Sequence, residues 1–159
     1  MIPVDPELDL VLERHVDVPP EKVWRAWTQP DLIKQWFTPK PWKTIGADLD
    51  LRSGGRFNTV MQSPEGEKFP GEGCFLEVIP VSRLVWTSAL KEGYRPQNAP
   101  IGGFLFTCTL TFDHQGEGTF YRAVARHADA DGAKAHENMG FHDGWGAALD
   151  QLVELMKTK

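Results

Sequence analysis

The sequence predicts an α+β fold: one strand, two short helices, six antiparallel strands and a long C-terminal helix. Three observations carry that prediction. Residues 14–36, RHVDVPPEKVWRAWTQPDLIKQW, hold two proline-marked helix starts directly after a strand. Residues 45–128 repeat a period of two across a series of short turns. Residues 141–156 carry apolar side chains at helical spacing.

The first strand ends near Val18, where Pro19 and Pro20 follow. Pro20 suits a first helical position, because its missing N–H is not needed there and its φ is preset. This helix is expected to run to about Trp27. Thr28 with Asp31 three residues on resembles a capping box, and Pro30 stands near the first turn, so a second helix should reach about Trp36. After the loop TPKPWK, Ile45, Ala47, Leu49 and Leu51 alternate with Gly46, Asp48, Asp50 and Arg52, the pattern of a strand with one wet face. Gly54 and Gly55 turn the chain, and residues 56–61 return with Phe57, Thr59 and Met61 on one side. SPEGE is another turn. Residues 68–79 and 84–90 give two more strands around a short reversal at 80–83. Strands joined by hairpins in this way are antiparallel.

Residues 91–103, KEGYRPQNAPIGG, have no periodicity and form the longest irregular connection in the chain. Loops of that length in compact domains are often binding loops or lids, so this one is a candidate gate. Phe104, Phe106, Cys108, Leu110 and Phe112 then alternate with Leu105, Thr107, Thr109 and Thr111, and DHQGEG leads into a last strand over 119–128. Parity turns Tyr121, Ala123, Ala125 and His127 inward and Arg122 and Arg126 toward water. Phe141, Trp145, Ala148, Leu149, Leu152 and Met156 form the stripe of an amphipathic helix on a core. Asp129 and Asp131 near its start and Lys157 and Lys159 at its end suit the helix dipole. Gly140, Gly144 and Gly146 weaken its first half by about 1 kcal/mol each and allow a bend or a close approach to the sheet.

A chain of 159 residues fits one domain with one core, and no linker or internal repeat divides it. Hydrophobic residues at 41% and charged residues at 25% are ordinary for a globular protein. No run approaches the roughly 20 apolar residues of a membrane span. The start, MIPVDPELDL, lacks a basic segment followed by an apolar one, which predicts a cytoplasmic protein. A net charge of −5 offers no field for phosphates, which argues against nucleic acid as a partner. Cys74 and Cys108 have no CxxC spacing and sit in strands, where a free cysteine behaves as a small hydrophobe. A disulfide between them would need neighbouring strands.

Four stretches in this order resemble a known family: ERHVDVPPEKVWRAWTQPDLIKQWF, DLDLRSGGRF, GEGCFLEVIPVSRLVWT and GFHDGWGAALDQLVELM. The chain is similar, from about Leu8 to Met156, to the Activator of Hsp90 ATPase homologue 1-like (AHSA1-type) domains of the START-like, or SRPBCC, superfamily. The resemblance implies a helix-grip fold, in which a strongly curved antiparallel sheet of about seven strands wraps the C-terminal helix and leaves a cavity between them. It also implies binding of a lipid, hormone, polyketide or other apolar molecule, enzymatic activity in some members, and contact with an Hsp90-type chaperone in others. The matching residues are mostly structural: Arg14, Pro20, Val23, Trp24, Pro30, Trp36, Gly54, Gly55, Gly71, Leu84, Gly144, Trp145 and Leu149. Fold transfers firmly on such a match, function weakly.

The candidate pocket is lined by Phe57, Met61, Trp86, Phe106, Cys108, Tyr121 and His127 from the sheet, by Met139 and His142 from the helix, and by Trp36 and Phe37 at its edge. Trp42 stands nearby as part of a mouth or an interface. Apolar residues at the same periods would equally fill a solid core. His127, Tyr121, His142 and Glu72 are the candidates for acid–base chemistry, with parity placing all but His142 on the concave side. His136 and His142, six residues apart, point about 120° from one another on a continuous helix, so no HExxH-like metal site is expected. His136 instead shares a face with Asp143, as an exposed pair or as an oriented imidazole. No cofactor is expected, because the glycine pair precedes no helix and no GK[ST] is present. The expected activity is binding of a small apolar or amphipathic ligand between sheet and helix. The alternatives are a co-chaperone-like protein and a cyclase-, hydrolase- or isomerase-like enzyme using the same pocket.

Overall fold

Extended backbone at Pro19 caps the first helix and Pro20 opens it, so the strand that ends at Val16 leads into helix with three residues between. The computed structural model describes residues 2–159. Strand β1 (Asp9–Val16) is followed by α1 (Pro20–Thr28) and α2 (Pro30–Trp36). The expected capping box at Thr28 is not formed. Thr28 is the last residue of α1 and its hydroxyl donates to the Trp24 carbonyl at 2.7 Å, while Gln29 caps α2 without a side-chain bond. A threonine inside a helix has its i−4 carbonyl within reach, and that local bond competes with capping the next helix.

The sheet then builds through β2 (Lys43–Leu49), β3 (Phe57–Gln62), β4 (Lys68–Gly71), β5 (Cys74–Ile79), β6 (Arg83–Thr87), β7 (Leu90–Lys91), β8 (Arg95–Pro96), β9 (Phe106–Gln115) and β10 (Gly118–His127). Five strands form one antiparallel sheet in the order β1-β10-β9-β6-β5, and β2-β3-β4 form another. The strand expected over 68–79 is therefore two. It breaks at Gly73, where a Cβ would lie 3.0 Å from the Thr87 carbonyl oxygen and 3.1 Å from that of Phe57. Only a residue without a side chain lets the chain pass between those two backbones, so β4 pairs with β3 and β5 with β6. A bridge between Arg56 and Cys74 and the bond from Phe57 N to Gly73 O stitch the two sheets together.

Alternation holds well in the long strands. Cys108, Leu110 and Phe112 are buried on β9 while Thr107, Thr109 and Thr111 are half-buried, and Tyr121, Ala123, Ala125 and His127 are buried on β10. Arg122 and Arg126 lie on the other face, beside Glu13 and Asp9 of β1 at 3.9 Å each. Both cysteines are free and buried, and burial raises the Cys108 thiol above its ordinary pKa.

The C-terminal helix differs most from expectation. It is two helices, α3 (Ala130–Asn138) and α4 (Phe141–Met156), divided at Gly140 with φ +93°. Asp129 caps α3, its carboxylate accepting from the Gly132 N–H at 2.8 Å. Phe141, Ala148, Leu149, Leu152 and Met156 of α4 are buried against the sheet, and Arg14 of β1 ties the helix down through Asp150 at 2.6 Å. The result is the helix-grip arrangement, with α1 and α2 packed against one side of α4. Because Gly140 holds a left-handed conformation that costs an L-residue about 1–2 kcal/mol, Gly140→Ala is expected to lower stability by that amount in chemical denaturation.

Among the described residues, no helix is long and apolar enough to cross a membrane.

Candidate functional site

Between α4 and the concave side of the sheet lies an open-mouthed cavity of about 550 Å³. Its size falls in the range that small-molecule sites occupy. Trp27, Trp36 and Phe37 wall it from the two short helices and the turn after them. Met61, Trp86, Phe106 and Tyr121 contribute from the sheet, with Phe104 just before β9. His136, Met139 and Gly140 come from the α3 end, and Phe141, Gly144, Trp145 and Ala148 from α4. The rim is made by Thr38, Pro39, Lys40 and Trp42. Gln151 of α4 holds that rim: its amide donates to the carbonyls of Trp36 and Thr38 at 3.0 and 2.8 Å, and its oxygen accepts from Lys40 N at 2.9 Å.

The aromatic wall is a contiguous network of edge-to-face and tilted ring pairs. Trp27 lies 4.9 Å from Trp36, 5.7 Å from Phe37 and 6.4 Å from Trp86 between ring centroids. At the other end Phe106, Phe141 and Trp145 surround His136 at 4.7, 5.1 and 5.8 Å. Polar atoms are few. The Trp27 indole N–H donates to the Tyr121 hydroxyl at 3.2 Å, and burial, above all, raises the Tyr121 phenol's pKa, so the phenol stays protonated. The Trp86 indole N–H is buried without an acceptor among the described residues.

Of the residues expected from the sequence, Trp36, Phe37, Met61, Trp86, Phe106, Tyr121 and Met139 lie in the cavity lining. Phe57, Cys108, His127 and His142 do not. Phe57 faces inward but stacks on Phe75 at 5.1 Å and is covered by Trp86 at 4.8 Å. Cys108 is wholly buried in the core. His127 is behind His136, its Nε2 2.9 Å from His136 Nδ1. His142 is exposed on the first turn of α4, 3.8 Å from Glu137.

Other expectations need correction. The turn at Gly140 ends the phase relation between α3 and α4, so His136 does not pair with Asp143; it is 6% exposed and packs into the cavity wall. Glu72 sits in the break between β4 and β5, exposed. The 91–103 loop contributes no residue to the cavity lining. Its front half is a small hairpin of β7 and β8, pinned by the Gln97 amide, which donates to the carbonyls of Glu72 and Ser88 at 2.8 Å each. Trp27, Phe104, His136, Phe141, Trp145 and Ala148 are among the lining residues not expected from the sequence, with Thr38, Pro39, Lys40, Gly140 and Gly144. For His136 a signal was present, since Gly140 follows the α3 C-cap Met139, the position where glycine commonly stops a helix.

A sheet wrapped on a C-terminal helix with an aromatic cavity between them defines a START-like, helix-grip protein. The chain belongs to the family of Activator of Hsp90 ATPase homolog 1-like proteins, whose model matches residues 17–157. A crystal structure of a protein from Nitrosomonas europaea is 49% identical, covers 98% of this chain and 97% of that one, and superposes with a TM-score of 0.93. The AHSA1-like protein from Aeromonas hydrophila, solved by NMR, is 24% identical over 95% of this chain and 93% of its own, with a TM-score of 0.71. A Rhodobacter sphaeroides protein at 20% identity covers 100% of this chain and 99% of its own with a TM-score of 0.84. These last two establish likeness of fold. No curated protein matches the chain.

Proposed function

We propose that the protein binds a small apolar or amphipathic molecule in the cavity between sheet and α4. The observation that supports this is the cavity itself, about 550 Å³ of space walled by aromatic rings. Burying a ligand there removes its apolar surface from water at about 25 cal/mol per Å². The same wall disfavours a strongly charged guest, which would lose hydration without a partner.

Gly144 offers a test that leaves the fold intact. It lines the cavity, and a Cβ there would meet nothing closer than Pro39 Cγ at 3.9 Å. Gly144→Phe should therefore place a ring in the cavity mouth, and replacing a helical glycine offsets part of any packing cost. Stability is expected to stay within about 1 kcal/mol of the parent. Titration with 2-methoxynaphthalene, followed by amide chemical shifts, should perturb the lining residues of the parent protein and leave those of Gly144→Phe unmoved. A parent protein that shows no shifts at its lining residues would rule out the cavity as a site for such molecules.

Action on an Hsp90-type chaperone, which the family's name suggests, is the alternative. It predicts a stimulated chaperone ATPase that survives Gly144→Phe, whereas a ligand carrier of the kind proposed leaves that rate unchanged.

A further inference from the structure

The two buried histidines fix each other's protons, and through them the chemistry of one end of the cavity. The Leu8 carbonyl can only accept, so His127 Nδ1, 2.8 Å away, carries a proton and donates it. Among the described residues no carboxylate lies within ion-pair distance of either His127 or His136, and Phe104 and Phe106 pack on both rings. With no counter-ion for an imidazolium, both contacts are satisfied without any charge when His127 donates from Nδ1 and accepts at Nε2. His127 Nε2 is then a bare acceptor, and His136 Nδ1 at 2.9 Å must donate to it. That leaves His136 with its proton on Nδ1 and a lone pair on Nε2.

Among the described residues nothing uses that lone pair. His136 Nε2 has no hydrogen-bond partner among the described residues, and the Trp86 indole nitrogen is the only fully shielded side-chain nitrogen or oxygen of a non-exposed residue among them that lacks one. His136 Nε2 therefore keeps accessible surface, although the residue is 6% exposed and lines the cavity. A buried acceptor held in a fixed tautomer by a two-bond relay from the backbone is a preorganised partner for a donor. Around it stand Phe104, Phe106, Phe141 and Trp145, which offer ring faces and edges to a flat body.

We infer that His136 Nε2 is the polar anchor of the cavity and selects ligands that carry a hydroxyl on an otherwise apolar, ring-containing body, such as phenols and alicyclic alcohols. The inference rests on the cavity being a ligand site, and it adds the chemistry that site prefers. His136 acts here by positioning, with the ligand hydroxyl donating to Nε2 and no bond made or broken.

Two measurements test it. In the free protein, long-range ¹H–¹⁵N correlation of the histidine rings should show His136 protonated on Nδ1 and bare on Nε2. The opposite tautomer overturns the assignment. In binding, 2-naphthol and 2-methoxynaphthalene differ by the one donor that matters, and the parent protein should prefer 2-naphthol by about 3- to 10-fold, the worth of a net hydrogen bond. In His136→Phe the two affinities should become equal while 2-methoxynaphthalene binding is retained. Equal affinities in the parent protein, or a preference that persists in His136→Phe, overturn the role of His136 and leave the cavity reading standing. Binding of neither probe by the parent overturns both. The parent comparison stands even where the variant does not fold.

Discussion

Trp27→Ala is expected to lower the free energy of unfolding by about 3–5 kcal/mol, the range for truncating a buried tryptophan. Trp27 is 3% exposed and meets Trp36, Phe37, Phe57 and Trp86 in the aromatic wall. It also donates to the Tyr121 hydroxyl, which joins α1 to β10. Alanine would leave a void continuous with the cavity and remove the donor to the Tyr121 hydroxyl. Trp27→Phe keeps most of the packing and loses that hydrogen bond, so about 1–2 kcal/mol is expected. Urea unfolding of the two variants separates packing from hydrogen bonding. A loss below about 1 kcal/mol for Trp27→Ala would show that the wall contributes little to stability.

Acid should destabilise the protein through His136. Burial, and to a lesser degree the neighbouring His127, lowers the His136 pKa from 6.5 to about 4. The unfolded chain therefore binds a proton near pH 6.5 that the folded protein refuses until about pH 4. With the unfolded state holding more protons between those limits, stability rises with pH. It is undiminished above about 6.5 and falls as pH drops through the window, with the loss complete below about 4. The expected size is on the order of 2–3 kcal/mol. His136→Gln can still donate to His127 but does not titrate, so its stability should depend less steeply on pH between 4 and 6.5 than the parent's. Parallel curves for parent and variant from denaturant midpoints would exclude His136 as the source.

Much of the fold was legible in sequence because periodicity reports which face of an element is buried. Proline at the starts of α1 and α2, alternation along β9 and β10, and the stripe on α4 all rest on local backbone geometry. Two breaks escaped this reasoning, at Gly73 and Gly140. Each is a glycine whose role depends on other backbone or on a left-handed turn, and periodicity on either side continues as though the element did not stop. The site was legible in part for a related reason. Parity assigns Phe57, Cys108 and His127 to the inward face, but it carries no depth, and Trp86 covers Phe57 as His136 covers His127. His136 was misread because helical phase was carried across Gly140.

The aromatic wall has an optical consequence. Of the six tryptophans in the chain, Trp27, Trp36, Trp42, Trp86 and Trp145 border the cavity. Nearly all of the protein's indole emission thus originates within contact range of any guest. Occupancy should be readable without a label, as a change in intrinsic fluorescence. With Trp27, Trp36 and Trp86 within 6.4 Å of one another along the chain of contacts, excitation of one ring can pass to the next, and a single quenching guest can darken several at once.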